Sequence, residues 1–199
     1  MVDPDYITDY NHDTYGLQEV LLFWVCAAGK NAKTSAAALD TMMDEAESWL
    51  SPKDQGSFNP FETLKFVGEG LVEMLKTHGI GCYNNKARTI RELIESNLDL
   101  KTCTRDDLLE IYGIGMKTAS CFIMHSRKNA RCAGLDTHIL KYLRDEGYDV
   151  PTATPGSKRK YLEIEQKFLA LADKSPKTVA RFDLDIWKRY RNRTKNDKN

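Results

Sequence analysis

The sequence predicts an all-α protein. Apolar residues recur at helical spacing in nearly every segment, cap residues precede many of these segments, and no alternating strand pattern of useful length appears. This pattern indicates about nine or ten helices. We expect a single domain over residues 1–199, because a chain of this length can bury one core, or two lobes that share one.

Three predicted helices occupy the first half of the chain. Residues 17–28 are apolar almost all round, which is typical of a buried helix, and Gly29 can end it. Thr34 or Ser35 is expected to cap the second helix. Residues 61–79 predict a third helix, in which two internal glycines lower the helix propensity.

The second half of the chain contains the remaining predicted helices. Residues 84–96 have apolar positions at helical spacing, Thr104 is expected to cap the next helix, and Asp136 a later one. Two last helices follow a loop rich in proline and threonine. The most informative segment is residues 104–127, which predict a helix, a tight glycine turn and a second helix.

Charge is balanced overall but uneven along the chain. Lys and Arg number 29, as do Asp and Glu, so no overall basic field indicates a nucleic-acid partner. Residues 1–13 carry four aspartates and no Lys or Arg, whereas residues 187–199 carry six Lys or Arg and one Asp. The basic end could contact phosphates or be a solvated tail. We expect both ends, about 1–13 and 192–199, to be flexible.

Composition argues against several other classes of protein. No apolar run approaches the length of a membrane span, and the polar, acidic N-terminus does not resemble a signal peptide, so we expect an intracellular protein. The five cysteines are widely spaced and include no C-x-x-C pair, which favours reduced thiols that pack in the core. We therefore expect no structural zinc, no four-cysteine iron–sulfur cluster and no organic cofactor.

The glycine turn predicts a site for a phosphate. Gly113 and Gly115 flank Ile114, and glycine can adopt positive φ while presenting no side chain. Backbone N–H groups at the start of the following helix then favour an anion, and Thr118 could add a hydroxyl contact. Such a device binds DNA backbone without reading sequence. The alternative is a plain helix–helix turn, in which Ile114 only packs between the two helices.

The full set of motifs resembles a known superfamily. The hairpin YGIGMKTA and the later motif RCAGLDTH, with Asp136 nineteen positions after Lys117, resemble the signature of the helix-hairpin-helix DNA glycosylases. The segment before the hairpin and the last two helices are most similar to archaeal-type 8-oxoguanine DNA glycosylase/AP lyases. The resemblance implies a two-lobed helical fold with a DNA-binding cleft between the lobes.

This chain departs from the family pattern at three places. Tyr112 stands where the family usually has proline, and the iron–sulfur cysteine loop of the endonuclease III branch is missing. The final residues, ending in lysine, that help archaeal-type enzymes read 8-oxoguanine are also missing. The last departure leaves the identity of the excised base open, whereas the two glycines and the lysine of the hairpin are in place.

The resemblance assigns catalysis to Lys117 and Asp136. Breaking an N-glycosidic bond builds positive charge on the sugar, which a carboxylate such as Asp136 stabilises. Lys117 would attack the anomeric carbon as a neutral amine and form a Schiff base that permits β-elimination. Judged alone, Asp136 is more typical of an ordinary helix N-cap, and Lys117 could be a solvated lysine. Their pairing with the hairpin at this spacing favours catalysis.

Further roles concern the DNA and the flipped base. Lys30 and Asn31 lie on a loop that could fill the gap left by the base, and His138 could contact the DNA backbone. Trp187 and Asp183, one helical turn apart, are expected to line the base pocket. The alternatives are loop polar residues, a structural histidine, a core tryptophan and a capping carboxylate.

The sequence thus favours a base-excision DNA glycosylase with AP lyase activity. The expected partner is double-stranded DNA that carries a damaged base, 8-oxoguanine above others, and we expect a monomer that binds no membrane and no metal. Two alternatives remain open at this point. One is a glycosylase for another damaged or mismatched base, and the other is a non-catalytic helix-hairpin-helix module that binds DNA.

Overall fold

The computed structural model describes residues 2–196, with side chains described for residues 2–192. This part of the chain is helical and contains no β-strand, which confirms the all-α prediction. Its helices are α1 (Thr14–Ala27), α2 (Ala32–Ser48), α3 (Pro60–Val67), α4 (Leu71–Thr77), α5 (Tyr83–Glu95), α6 (Arg105–Leu109), α7 (Met116–Ser126), α8 (Thr137–Asp145), α9 (Lys158–Ala172) and α10 (Val179–Asn196), with a 3-10 turn at Gly68–Gly70. Within these residues, no helix has the length and apolarity needed to cross a bilayer.

The helices form two compact units. The first unit comprises the chain up to Ile7 together with Asn11–Ile114, and so contains α1 to α6. The second comprises Thr8–Tyr10 together with the chain from Gly115 onward, and so contains α7 to α10. The boundary at Ile114 and Gly115 falls inside the predicted hairpin.

Helix α1 is the centre of the first unit. Leu21, Leu22, Phe23 and Cys26 are completely buried, as the continuous apolar run of this helix predicted. α1 packs against α2, α3 and α5. The helix begins earlier than predicted because Asp13 caps it, and the Asp13 carboxylate accepts a hydrogen bond from the backbone N–H of Gly16.

Two details of the first unit differ from the sequence-based prediction. Asn31 caps α2, not Thr34 or Ser35, and its side-chain oxygen accepts from the backbone N–H of Thr34 at 3.2 Å. The predicted third helix is broken into α3, the 3-10 turn and α4. The break occurs at Gly68, whose φ of +57° leaves the helical region.

The N-terminal segment is packed, whereas the sequence predicted a flexible end. Pro4, Ile7 and Thr8 are buried, whereas Asp3, Tyr6 and Asp9 are exposed. At the other end, all but the first of the predicted flexible residues 192–199, and three of the six basic residues of the cluster, have side chains outside the described part of the chain.

α10 organises the second unit by packing against α7, α8 and α9. Aromatic rings fill the space between these helices. The Tyr142 ring meets Phe182 and Tyr190 edge-on, with ring centroids 6.0 Å apart in both pairs. The Tyr190 hydroxyl is satisfied at the rim of this cluster, where it donates to the Asp145 carboxylate at 2.7 Å.

A buried lysine ties α5 to the end of α1 in the first unit. The Lys86 side chain is only 5% exposed, and its ammonium group donates to the backbone carbonyl of Cys26 at 2.6 Å. This carbonyl lies in the last turn of α1, where carbonyls lack helical partners and a cation is favoured. Burial lowers the pKa of Lys86. The lysine therefore fixes the end of α1 just before the loop that carries Lys30 and Asn31.

Removing this ammonium group should destabilise the protein. Lys86→Met keeps the length of the side chain but leaves the buried Cys26 carbonyl without its donor, which costs about 1–3 kcal/mol. Lys76→Met is the matched control, because Lys76 is exposed and contacts only the surface carboxylate of Glu73. Urea denaturation should show a lower unfolding free energy for Lys86→Met alone. Equal changes in the two variants would contradict the capping role.

Candidate active site and DNA-binding hairpin

The hairpin between α6 and α7 has the backbone that the two glycines predicted. Gly113 has a φ of +79°, and a side chain at this position would collide with the hydroxyl of Thr89 on α5. Ile114 is 4% exposed, so it packs inward. Gly115 is the N-cap of α7 and has no side chain with which to cap it. No side chain at position 115 therefore caps the first amides of α7, and amides at a helix N-terminus are groups that can bind an anion.

Tyr112 braces the hairpin from the first unit. Its backbone N–H donates to the Glu92 carboxylate at 2.9 Å, and its hydroxyl donates to the Asn85 side chain at 3.3 Å. The Arg88 guanidinium stacks 3.8 Å from the centre of the Tyr112 ring. The bond from Tyr112 N–H lowers the pKa of Glu92, as does Arg88. Proline has no N–H, so the Glu92 bond depends on the departure from the family pattern.

Asp136 is the N-cap of α8, as the sequence predicted. Its Oδ1 atom accepts from the backbone N–H groups of His138 and Ile139 at 2.9 Å and 2.8 Å. The two bonds fix the carboxylate through Oδ1 and do not engage its Oδ2 atom. Capping and catalysis are compatible, because only one of the two oxygens is engaged in the cap.

Two buried side chains of α9 form hydrogen bonds with the backbone of the loop before Asp136. The Tyr161 hydroxyl donates to the Ala133 carbonyl at 2.6 Å and accepts from the Leu135 N–H at 3.1 Å. The Glu165 carboxylate accepts from the Ala133 N–H at 2.9 Å. Because these backbone groups of Ala133 and Leu135 have buried partners, the loop before Asp136 is fixed to the core.

The same loop packs against α7, the helix that carries Lys117. A side chain at Gly134 would collide with the sulfur of Cys121, one helical turn after Lys117. The Cys132 thiol also donates to the Ser120 carbonyl on α7 at 3.4 Å. Burial raises the pKa of Cys121 well above its usual value, and the charges of Lys117 and Asp136 both act on this thiol. Glycine at position 134 therefore brings the Asp136 loop close to Lys117.

Asp183 on α10 joins this group. The side chain is 6% exposed, and burial raises its pKa well above the usual value. The negative charge of Asp136 raises the pKa further, whereas Lys117 lowers it. Asp183 therefore lies within electrostatic range of both predicted catalytic residues, and its surroundings favour the protonated form of its carboxyl more than water does.

Trp187 follows one turn after Asp183 and is half-buried. The ring of His138 meets the Trp187 ring edge-on, with centroids 6.4 Å apart. The Arg191 guanidinium also lies over the Trp187 ring, 4.3 Å from the ring centre. The second unit thus brings together five of the predicted site residues: Lys117, Asp136, His138, Asp183 and Trp187. Arg191 was not predicted as a site residue.

The other predicted residues are placed as follows. Lys30 and Asn31 are exposed in the first unit, where Asn31 also caps α2. Thr118 is 8% exposed, so its hydroxyl faces mainly the interior of the second unit. Among the residues that the structure describes, no three His, Cys, Asp or Glu side chains cluster as metal ligands do.

Comparison with solved structures identifies the fold. The crystal structure of the Thermotoga maritima 8-oxoguanine DNA glycosylase is 24% identical, has a TM-score of 0.66, and the match covers 87% of this chain and 78% of that one. The Methanocaldococcus jannaschii 8-oxoguanine glycosylase/lyase, in complex with a 15mer DNA containing 8-oxoguanine, is also 24% identical, with a TM-score of 0.64 and coverages of 89% and 81%. The fold is that of the helix-hairpin-helix DNA glycosylases.

Sequence comparison then identifies the family. The family model described as 8-oxoguanine DNA glycosylase matches residues 9–176. A Picrophilus torridus 8-oxoguanine DNA glycosylase/AP lyase is 35% identical over an alignment that covers 94% of this chain and 96% of that protein. For the M. jannaschii relative of the same description, identity is 30%, and the match spans 62% of this chain and 64% of that protein. The chain belongs to the 8-oxoguanine DNA glycosylase family.

The two hairpin glycines should respond differently to the same substitution. Gly113→Ala forces a positive φ and a collision with Thr89, so we expect a loss of about 1–3 kcal/mol in unfolding free energy. Gly115→Ala meets no atom within 4 Å of the new side chain, and its φ of −94° suits alanine.

Gly115→Ala should therefore change stability by less than about 0.5 kcal/mol. It should still weaken binding to a duplex, because the added methyl group obstructs a phosphate at the α7 amides. Thermal unfolding and fluorescence anisotropy measure the two effects. Wild-type affinity in Gly115→Ala would argue against a phosphate at this hairpin.

Proposed function

We propose that this protein excises 8-oxoguanine from double-stranded DNA and then cleaves the strand at the resulting abasic site. Lys117 is the proposed nucleophile and Asp136 the proposed carboxylate partner. The supporting observation is the Gly134 contact, which packs the loop before Asp136 onto α7 one turn from Lys117. The relatives described above carry the same pair of activities in their names.

The first step replaces one bond at the sugar with another. The Lys117 amine attacks C1′, the C1′–N9 bond breaks, and the electron pair leaves with the base, which takes up a proton. Positive charge develops on the sugar ring during this exchange, and the Asp136 carboxylate stabilises it through space. A free lysine is protonated near pH 7, so the amine must first lose a proton, for which the Oδ2 atom of Asp136 is a suitable acceptor.

The second step follows from the covalent bond to lysine. Opening of the sugar ring converts the C1′–Nζ bond into a Schiff base, which acidifies the C2′ proton. Loss of that proton expels the 3′-phosphate by β-elimination and nicks the strand. Water then hydrolyses the Schiff base and frees Lys117. The two steps therefore consume only DNA and water, and the Lys117 side chain is regenerated.

We propose that the base enters a pocket formed in the second unit. Trp187 provides an aromatic face for stacking, and Asp183 provides a carboxyl group for an edge of the base. His138 and Arg191 pack on the Trp187 ring and hold it in place. The raised pKa of Asp183 favours its protonated form, which can donate a hydrogen bond as well as accept one and so suits a purine edge that offers both kinds of group.

The remaining predicted residues have proposed roles in DNA binding. Gly113, Ile114 and Gly115 form the backbone site for a phosphate, with Thr118 supporting the first turn of α7. Lys30 and Asn31 are proposed to fill the gap in the duplex after the base is flipped out. The proposed location is intracellular, where the DNA is, and the proposed active form is a monomer.

Two conservative variants test the chemistry. On a duplex containing 8-oxoguanine with borohydride present, wild type should form a covalent adduct that Lys117→Gln abolishes. Asp136→Asn should slow base release by about 100-fold or more, because the charge is lost. Asparagine still caps α8, so stability should fall by less than about 1 kcal/mol.

Lys128→Gln is the control for this experiment, because Lys128 is an exposed loop lysine of the same unit. Its adduct should form at the wild-type rate. Base release without any wild-type adduct would indicate a monofunctional glycosylase. Duplex binding with no base release would indicate a non-catalytic DNA-binding module.

A further inference from the structure

Residues 8–10, from the acidic N-terminal segment, are built into the second unit beside α7. Thr8 is 3% exposed, and its hydroxyl lies 2.8 Å from Nδ1 of His125. The Asp9 N–H donates to the His125 carbonyl at 3.2 Å, and Arg181 donates to the Thr8 carbonyl at 3.0 Å. This segment is thereby tied to the helix that carries Lys117 and to the helix that carries Asp183.

His125 connects Thr8 to Asp183. Its Nδ1 atom faces Thr8, and its Nε2 atom lies 3.8 Å from Oδ2 of Asp183. Burial, together with the charge of Arg181, lowers the pKa of His125 to about 3, so the imidazole is neutral near pH 7. When the Thr8 hydroxyl donates to Nδ1, the single ring proton is on Nε2 and points toward the Asp183 carboxyl.

The two oxygens of Asp183 have different surroundings. Oδ2 faces His125, whereas Oδ1 is buried and has no hydrogen-bond partner within the described part of the chain. A buried carboxyl oxygen without a partner is unfavourable by about 1–3 kcal/mol, so its presence beside Lys117 and Asp136 calls for a ligand. The proposed base pocket supplies one, since Trp187 is one turn away.

We propose that Thr8 and His125 are positioning residues that fix Oδ2 of Asp183 and thereby keep Oδ1 directed at the flipped base. The N-terminal segment then helps determine which base is excised by acting through His125 and Asp183. This inference rests on the proposed base pocket. The proposal also predicts different effects on base excision and on the reaction at an abasic site. An abasic site has no base for Asp183 to hold, whereas Lys117 still has a sugar to attack.

The test compares base excision with reaction at an abasic site. Thr8→Val removes the hydroxyl and keeps the shape of the side chain. We expect about tenfold slower single-turnover excision of 8-oxoguanine, while borohydride trapping on an abasic duplex stays within about twofold of wild type. Thr8→Ser restores the hydroxyl and should restore excision.

Tyr10→Phe is the matched control. The Tyr10 hydroxyl anchors the same segment through the Thr178 hydroxyl at 2.7 Å, on α10's N-terminal side and not through His125. Its removal should leave both reactions within about twofold of wild type. If Tyr10→Phe slows excision as much as Thr8→Val does, the segment is only a structural anchor and the proposal is wrong.

A double-mutant cycle supplies the second measurement. Asp183→Asn should slow excision, and adding Thr8→Val to it should cost no more than about twofold, because both changes disable one chain of contacts. Full additivity, or an equal loss of excision and trapping in Thr8→Val, would overturn the proposal. Failure of the proposed function is distinct, because wild type itself would then neither excise 8-oxoguanine nor form the abasic adduct.

Discussion

The close approach of the 132–135 loop to α7 is the contact on which the candidate site depends. Only a residue without a side chain fits at position 134, because the Cys121 sulfur occupies that space. Tyr161 and Glu165 hold the same loop from the opposite side through its backbone groups. Asp136 is thus positioned by packing of its loop on one side and by buried hydrogen bonds on the other.

Sequence reasoning succeeded where the physical cause is local. The caps Thr104 and Asp136 were predicted from residue type and position, because a capping side chain bonds amides two or three residues ahead. The same holds for the hairpin, whose positive φ at Gly113 follows from glycine itself. The grouping of Lys117 with Asp183 and Trp187 was predicted through family resemblance. Helical periodicity alone places Asp183 and Trp187 one turn apart, but it does not predict that they lie near α7, the helix that carries Lys117.

Sequence reasoning failed where the cause lies far along the chain. The Tyr112 N–H reaches Glu92 twenty residues earlier, and Thr8 reaches His125 across 117 residues, so neither pairing has a local signature. The acidic composition of residues 1–13 indicated solvent exposure, but the segment is held by its backbone and by Thr8, which composition does not register. At α2, the polar residues Asn31, Thr34 and Ser35 compete for the cap, and only the backbone geometry decides among them.

The burial of Cys121 has a consequence for the durability of this site. Oxidants attack the thiolate form of cysteine, and a raised pKa keeps this sulfur protonated. Guanine is converted to 8-oxoguanine under oxidising conditions, so a protein of this family works where such oxidants are present. A sulfur that served only to fit against Gly134 would become a liability if it were reactive. Burial of this thiol therefore helps to preserve the packing of Gly134 against α7.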